Sequence, residues 1–147
     1  MLDETALRVL EEYVRDSRQS YREIARRLGI SSGTVASRAK ELEEKGIIEK
    51  YTVQLNHEKL GYELTAITEI IISEGMMLEV GDEISKISGA LRVYNITGDA
   101  DILVVARFKT RSQLSDFTKK ITKMRYVVRT KTHVVLNTIK DEVSLLP

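Results

Sequence analysis

Apolar positions recur at helical spacing through the first forty-five residues. From residue 64 onward they alternate between strand and helix spacing. Ala6, Leu7, Leu10, Tyr13 and Val14 make one stripe, which predicts a helix from near Asp3, whose side chain can cap it, to about Asp16. A polar loop, Ser17-Arg18-Gln19, follows. A second helix opens with the capping-box pair Ser20 and Glu23, turns Ile24, Ala25 and Leu28 inward, and ends at Gly29, where a left-handed residue is needed. Ile30 fills the turn. Ser31 caps a third helix that buries Val35, Ala39 and Leu42 and stops at Gly46. Helices this short cannot bury their faces separately, so the three are expected to pack as one trihelical unit. Two of them joined by a tight glycine-containing turn make a helix-turn-helix.

The period changes after Gly46. Ile47, Tyr51 and Val53 predict a short strand within 47–54, and 56–62 reads as a connector turning at Gly61. Strands are then expected over 64–73, 91–97, 101–108 and 127–137, with helices over 77–88 and 111–124. That order, βαββαβ, is the ferredoxin-like motif. The fold class is therefore α+β: a winged-type helix-turn-helix over 1–50, a strand and connector over 51–62, and a ferredoxin-like domain over 63–147. Strand 101–108 is apolar on both faces (Ile102, Val104, Ala106 and Phe108 against Leu103 and Val105), and 64–73 repeats the pattern. One layer of helices covers only one face. The other calls for a second subunit related by a two-fold axis.

Composition narrows the function. In 147 residues there is no cysteine, which excludes disulfides, thiolate nucleophiles and zinc–thiolate sites. No apolar run approaches the ~20 residues of a membrane span, and the first residues lack a signal-peptide core, so a cytoplasmic location is expected. The net charge of +1 hides a local bias. Six bases and one acid lie between Arg18 and Lys40, whereas residues 1–17 hold five acids and two bases and 41–50 hold four acids and two bases. A cationic stripe on one helix pair fits an anionic polymer, here double-stranded DNA.

The third helix is the candidate recognition helix, with Ser31, Ser32, Gly33, Thr34, Ser37, Arg38 and Lys40 available to bases and Arg38 suited to guanine or phosphate. Ser20, Tyr21, Arg22 and Arg26 on the preceding helix are placed to hold the backbone. Asp99 and Asp101 beside Gly98 form a turn that is either a backbone device or a site for an amine. His57 and His133 are isolated, and no triad order, phosphate-binding glycine pattern, metal cluster or cofactor motif occurs, so no enzyme is expected. Lys119, Lys120, Lys123 and Arg125 form a second basic cluster, read as a solvated face with nucleic-acid or subunit contact as alternatives.

These residues resemble the leucine-responsive and asparagine-synthase regulator group (Lrp/AsnC, the feast/famine regulators) over essentially the whole chain. The resemblance is carried by DETALRVL from Asp3, YREIARRLGISSGTVASRAKELEEKGII from Tyr21, NHEKLGY in the connector, ITGDADILV and TKTHVVL. It implies a DNA-binding helix-turn-helix regulator whose βαββαβ domain forms homodimers that assemble to tetramers or octamers. It further implies a small effector, usually an amino acid, at interfaces of those domains, with Gly98, Asp99, Asp101, Thr130 and Thr132 at its site. The alternative reading is an amino-acid-binding sensor or enzyme domain with an accessory helical module.

Overall fold

The computed structural model describes residues 2–145, which divide into two units: the chain up to Gln54 with the segment from Asp141, and Leu55–Lys140. Met1, Leu146 and Pro147, which the expected domain spans take in, lie outside the described residues.

The first unit is three helices, α1 (Glu4–Arg15), α2 (Tyr21–Leu28) and α3 (Ser32–Glu44). Asp3 caps α1 by accepting from the Ala6 amide at 2.8 Å. The buried row of α1 is Ala6, Val9 and Tyr13, with Leu7 and Leu10 half-buried and Val14 turned outward. The expected stripe was thus rotated, because Val9 at i+3 from Ala6 meets α2 and α3 and Val14 does not. Val9, Ile24, Val35, Ala39 and Leu42 form the core, sealed by Leu2, Leu28, Ile30 and Ile48. Glu12 is buried among them, its carboxylate accepting from Arg15 at 2.7 Å and lying 3.6 Å from Arg27.

The strand expected within 47–54 does not form. Ile47 and Ile48 spend their amides on the Leu42 carbonyl at the end of α3. Tyr51 packs edge-on against the Tyr13 ring at 5.6 Å and donates to Glu43 at 2.7 Å. Side-chain anchoring holds the segment where no neighbouring strand of its unit offers a ladder.

The second unit begins with a single 3₁₀ turn, Glu58–Leu60, ended by Gly61 at φ +84. It continues as β1 (Leu64–Ile72), α4 (Met77–Ser85), β2 (Ala90–Asn95), β3 (Ile102–Phe108), α5 (Arg111–Thr122) and β4 (Val127–Val134). The strands form one antiparallel sheet in the order β2-β3-β1-β4, the ferredoxin-like arrangement. Ala66, Ile70, Ile72, Ile102, Val104, Ala106 and Phe108 alternate onto one face and are covered by Val80, Ile84, Phe117 and Ile121 of the two helices. At Gly81 a Cβ would make ordinary contact, 3.6 Å from Ile102 Cδ1, so the helix passes the sheet there without needing glycine. Leu78 of α4 is 71 % exposed, and Val80 and Ile84 are the residues the helix buries.

The opposite face carries Ile67, Ile71, Leu103 and Val105, with Glu69 between the two isoleucines and opposite Leu103, and Tyr94, His133, Lys131 and Arg129 around them by register. No helix of the unit covers it. This is the bare apolar face expected from the alternation of β1 and β3.

Candidate functional site

Helix α2 is fixed at both ends by its own sequence. Ser20 and Glu23 complete a reciprocal capping box, with the Ser20 amide donating to Glu23 at 2.7 Å and the Glu23 amide donating to the Ser20 hydroxyl at 3.3 Å. The Ser20 amide first, and then the Ser20 hydroxyl, which donates to the same carboxylate at 2.8 Å, hold the Glu23 carboxyl below its ordinary value of 4.5. Gly29 is left-handed at φ +69, and its amide closes the helix onto the Ala25 carbonyl. The chain therefore reverses within Gly29-Ile30-Ser31 and delivers α3 with its N-terminus open to solvent. Ser31 accepts from the Thr34 amide at 3.0 Å and bonds the Thr34 hydroxyl at 2.9 Å.

With Val35, Ala39 and Leu42 inward, the outermost row of α3 is Gly33, Ser37 and Lys40 at i, i+4 and i+7, with Ser32 beside them. Arg38 lies on the flank instead. Its side chain is only 33 % exposed and is shared between Asp3 at 2.6 Å and Glu41 at 2.7 Å. The hydrogen bond to Glu41 and the Asp3 charge raise the Arg38 guanidinium above its usual value. Lys45 and Arg38 together lower Glu41. The remaining bases of this stretch are largely matched as well: Arg18 with Asp16 at 3.0 Å, Arg27 with Glu12, and Lys40 with Glu44 at 3.6 Å. The acidic flanks that made the cationic stripe conspicuous in sequence fold back as its partners. Arg22 and Arg26 are exposed and make no ion pair among the described residues, so they are the free cations of the motif, with Tyr21 exposed next to them.

The second candidate site is the turn between β2 and β3. Gly98 has φ +115, a conformation a side chain rarely adopts. Asp101 is committed to structure: its carboxylate accepts from the Ile72 amide at 2.7 Å, its amide donates to the Ile70 carbonyl at 3.0 Å, and its carbonyl receives Asn95 and the Ile96 amide. Asp99 is exposed beside a pocket of about 250 Å3 lined by Glu69, Ile71, Ala100, Arg129, Thr130 and Lys131 as well. Thr132 is not with them. It pairs with buried Thr68 and bonds its hydroxyl at 3.1 Å on the helix-covered face. The expected five residues thus separate into Asp99 at the pocket, Thr130 at its edge on the strand position paired with Ile70, Gly98 and Asp101 shaping the turn, and Thr132 inside the sheet packing. Glu69, Arg129 and Lys131 were missed. Only the β1–β4 register, which sequence did not supply, brings them together.

A larger cavity of about 570 Å3, also unanticipated, lies among His57, Tyr62, Phe108, Lys109, Phe117 and Lys120. Among the described residues no group of acids and histidines could hold a metal ion, and no helix is long and apolar enough to cross a membrane.

Two family models match the chain: a winged helix-turn-helix DNA-binding model over residues 2–49 and the Lrp/AsnC ligand binding domain over residues 65–145. An uncharacterised HTH-type transcriptional regulator of Pyrococcus abyssi is 41% identical, with all of both chains covered. The HTH-type transcriptional regulator Ptr1 of Methanocaldococcus jannaschii is 36% identical over 96% of each chain. Among solved structures, the transcriptional regulator NMB0573 of Neisseria meningitidis, crystallised as its complex with L-Met, superposes with a TM-score of 0.92. It is 26% identical, and the match covers 99% of this chain and 96% of that one.

Proposed function

The chain belongs to the Lrp/AsnC family of helix-turn-helix transcriptional regulators, and from that premise we propose which of its residues meet DNA and which meet an effector. Ser32, Gly33, Ser37 and Lys40 read base edges in the major groove. Tyr21, Arg22 and Arg26 hold phosphates, and Ser20 presents the start of α2 to the backbone. Ser31 and Thr34 set the N-terminus of α3, and Arg38 braces the helix against α1. The observation that carries this assignment is the row Gly33-Ser37-Lys40 facing outward beside two uncommitted arginines. Small residues at that row let the helix enter the groove closely.

The effector is an amino acid held at the pocket beside Asp99. Both signs of charge line that pocket, Glu69 and Asp99 against Arg129 and Lys131, which suits a zwitterion: the ammonium toward the carboxylates, the carboxylate toward Arg129. The related regulator crystallised with L-Met supports the class of ligand. Two subunits join through the bare sheet face around Ile67, Ile71, Leu103 and Val105, and such dimers assemble to tetramers or octamers. A two-fold pair presents two α3 helices to half-sites about one helical turn, or a multiple of it, apart. The protein works as a cytoplasmic regulator and carries no cofactor and no catalysis of its own.

The test is fluorescence anisotropy on the duplex upstream of the protein's own coding region, repeated with each of the twenty amino acids. Preference for that duplex over a scrambled one of equal length is expected, as is a shift of affinity by at least one amino acid. Equal affinity for both duplexes would remove the specific-binding reading.

A further inference from the structure

From Ile102 to Lys140 the chain holds ten lysines and arginines and one acid, Asp116, a stronger bias than that of the helix-turn-helix. Six of these cations cluster on α5 and its two ends: Lys109, Arg111, Lys119, Lys120, Lys123 and Arg125. All six are exposed, and none makes an ion pair among the described residues. The contrast with the first unit is sharp, because there most cations have a carboxylate beside them.

Helix stability does not account for the cluster. Lys119 and Lys123 stand four residues apart and Lys120 and Lys123 three, spacings at which like charges repel; Asp116, three and four residues before Lys119 and Lys120, is the one acid to offset them. The helix dipole welcomes cations at the C-terminal end but opposes Lys109 and Arg111 at the N-terminal end. Two of the six are held in place by rings: Lys109 Nζ is 5.1 Å from the Tyr62 ring centroid, and the Arg125 guanidinium is 4.6 Å from that of Tyr126. The apolar residues of α5 do not share this face; Phe117 and Ile121 are buried against the sheet and Leu114 packs on them. A charged face without apolar residues to enter a bilayer does not suit a membrane surface. On α4 of a second copy Asp82 is already paired with Lys86 at 2.6 Å, while Glu79 and Glu83 are exposed, so a subunit contact is the rival that sedimentation must separate. An anion spread along the ~18 Å of a twelve-residue helix suits it better.

We propose that the exposed face of α5 is a second contact for duplex DNA, holding phosphates without reading bases. The inference rests on the DNA-binding role assigned to α2 and α3. It adds a sequence-independent term to the affinity, one that grows as salt is lowered.

The test uses the full-length protein in three forms: wild type, Lys119→Gln/Lys120→Gln/Lys123→Gln, and Arg22→Gln/Arg26→Gln. Each is measured by anisotropy on one duplex across a salt series, with circular dichroism and sedimentation to check fold and assembly. The α5 variant is expected to keep its fold and assembly. Its slope of log affinity against log salt should flatten by about 2 to 3, and its affinity at ~0.1 M salt should fall roughly tenfold to a hundredfold. The α2 variant should flatten the slope by about 2, independently of the first. A flattened slope in the α2 variant with an unchanged slope in the α5 variant would overturn this inference and leave the helix-turn-helix reading standing. An α5 variant that changes sedimentation but not slope would assign the face to a subunit contact and overturn it too. No salt-dependent binding by the wild type would overturn both.

Discussion

Arg38 Nη2 lies 2.6 Å from Asp3 Oδ2, so the residue that caps the first helix also holds the arginine of the candidate recognition helix. The other carboxylate oxygen of Asp3 accepts from the Ala6 amide at 2.8 Å, and one short side chain therefore performs two tasks. Asp3→Asn keeps the capping acceptor and removes the charge. It should change stability little and leave Arg38 held by Glu41 alone, freer to turn outward. An exposed ion pair is worth up to ~1 kcal/mol, so duplex affinity should rise by up to about fivefold. Anisotropy of the variant against wild type checks this, and unchanged affinity would confine Arg38 to its bracing role.

Gly29 makes the turn at φ +69, and a Cβ there would meet nothing within 4 Å. Gly29→Ala should therefore cost about 1–2 kcal/mol through backbone conformation alone. Gly29→Asn should recover part of that, because asparagine tolerates the left-handed region. Urea unfolding of both variants measures the difference, and equal stabilities would mean the turn relaxes to another shape.

Thr132 and Asp99, both expected at the effector site from sequence, should behave differently. Thr132→Val leaves Thr68 without its hydroxyl partner and should lower stability by about 1 kcal/mol while the response to an amino acid persists. Asp99→Ala, at an exposed turn, should leave stability unchanged and abolish the thermal shift produced by the effector. A thermal shift that survives Asp99→Ala would move the effector elsewhere.

Acid should weaken the first unit through Glu23 and Glu41. Both carboxyls are held below 4.5, Glu23 first by the Ser20 amide and Glu41 first by Lys45. A depressed carboxyl contributes stability that is fully present above its unfolded value and is lost as pH falls through the folded one. Melting temperature should therefore hold steady down to about pH 5 and fall below 4.5, more gently in Glu23→Gln, whose amide can still accept from Ser20. A profile identical to wild type would remove Glu23 from the acid transition.

Val105→Lys places a charge on the bare sheet face, opposite Ile67 and away from the helix-covered core. Sedimentation equilibrium should show a folded monomer in place of a dimer, with operator affinity reduced because two half-sites are no longer engaged together. A dimer of unchanged strength would place the subunit contact on another surface.

Periodicity exposed the trihelical unit, the order of strands and helices, and the doubly apolar sheet, because each depends on residues a few positions apart. The capping box at Ser20 and Glu23 and the glycine turn at Gly29 were legible for the same reason. What sequence could not supply was pairing across distance. Arg38 looked like a free base reader until Asp3, thirty-five positions away, stood beside it. Thr132 looked like a neighbour of the turn until its register with Thr68 put it on the other face. Residues 47–54 had the composition of a strand but no partner within their unit, and a strand is a property of two chains' worth of backbone.

Asp101 has one further consequence. Its carboxylate grips the amide of Ile72, the residue at which the pairing of β1 with β4 slips, between Ile71 and Ile72. The Gly98–Asp99 turn is therefore tied, through Asp101, to the end of the β1–β4 ladder where its register shifts. The rest of the ladder, from Ala66 to Ile70, stays clamped by Val134, Thr132 and Thr130.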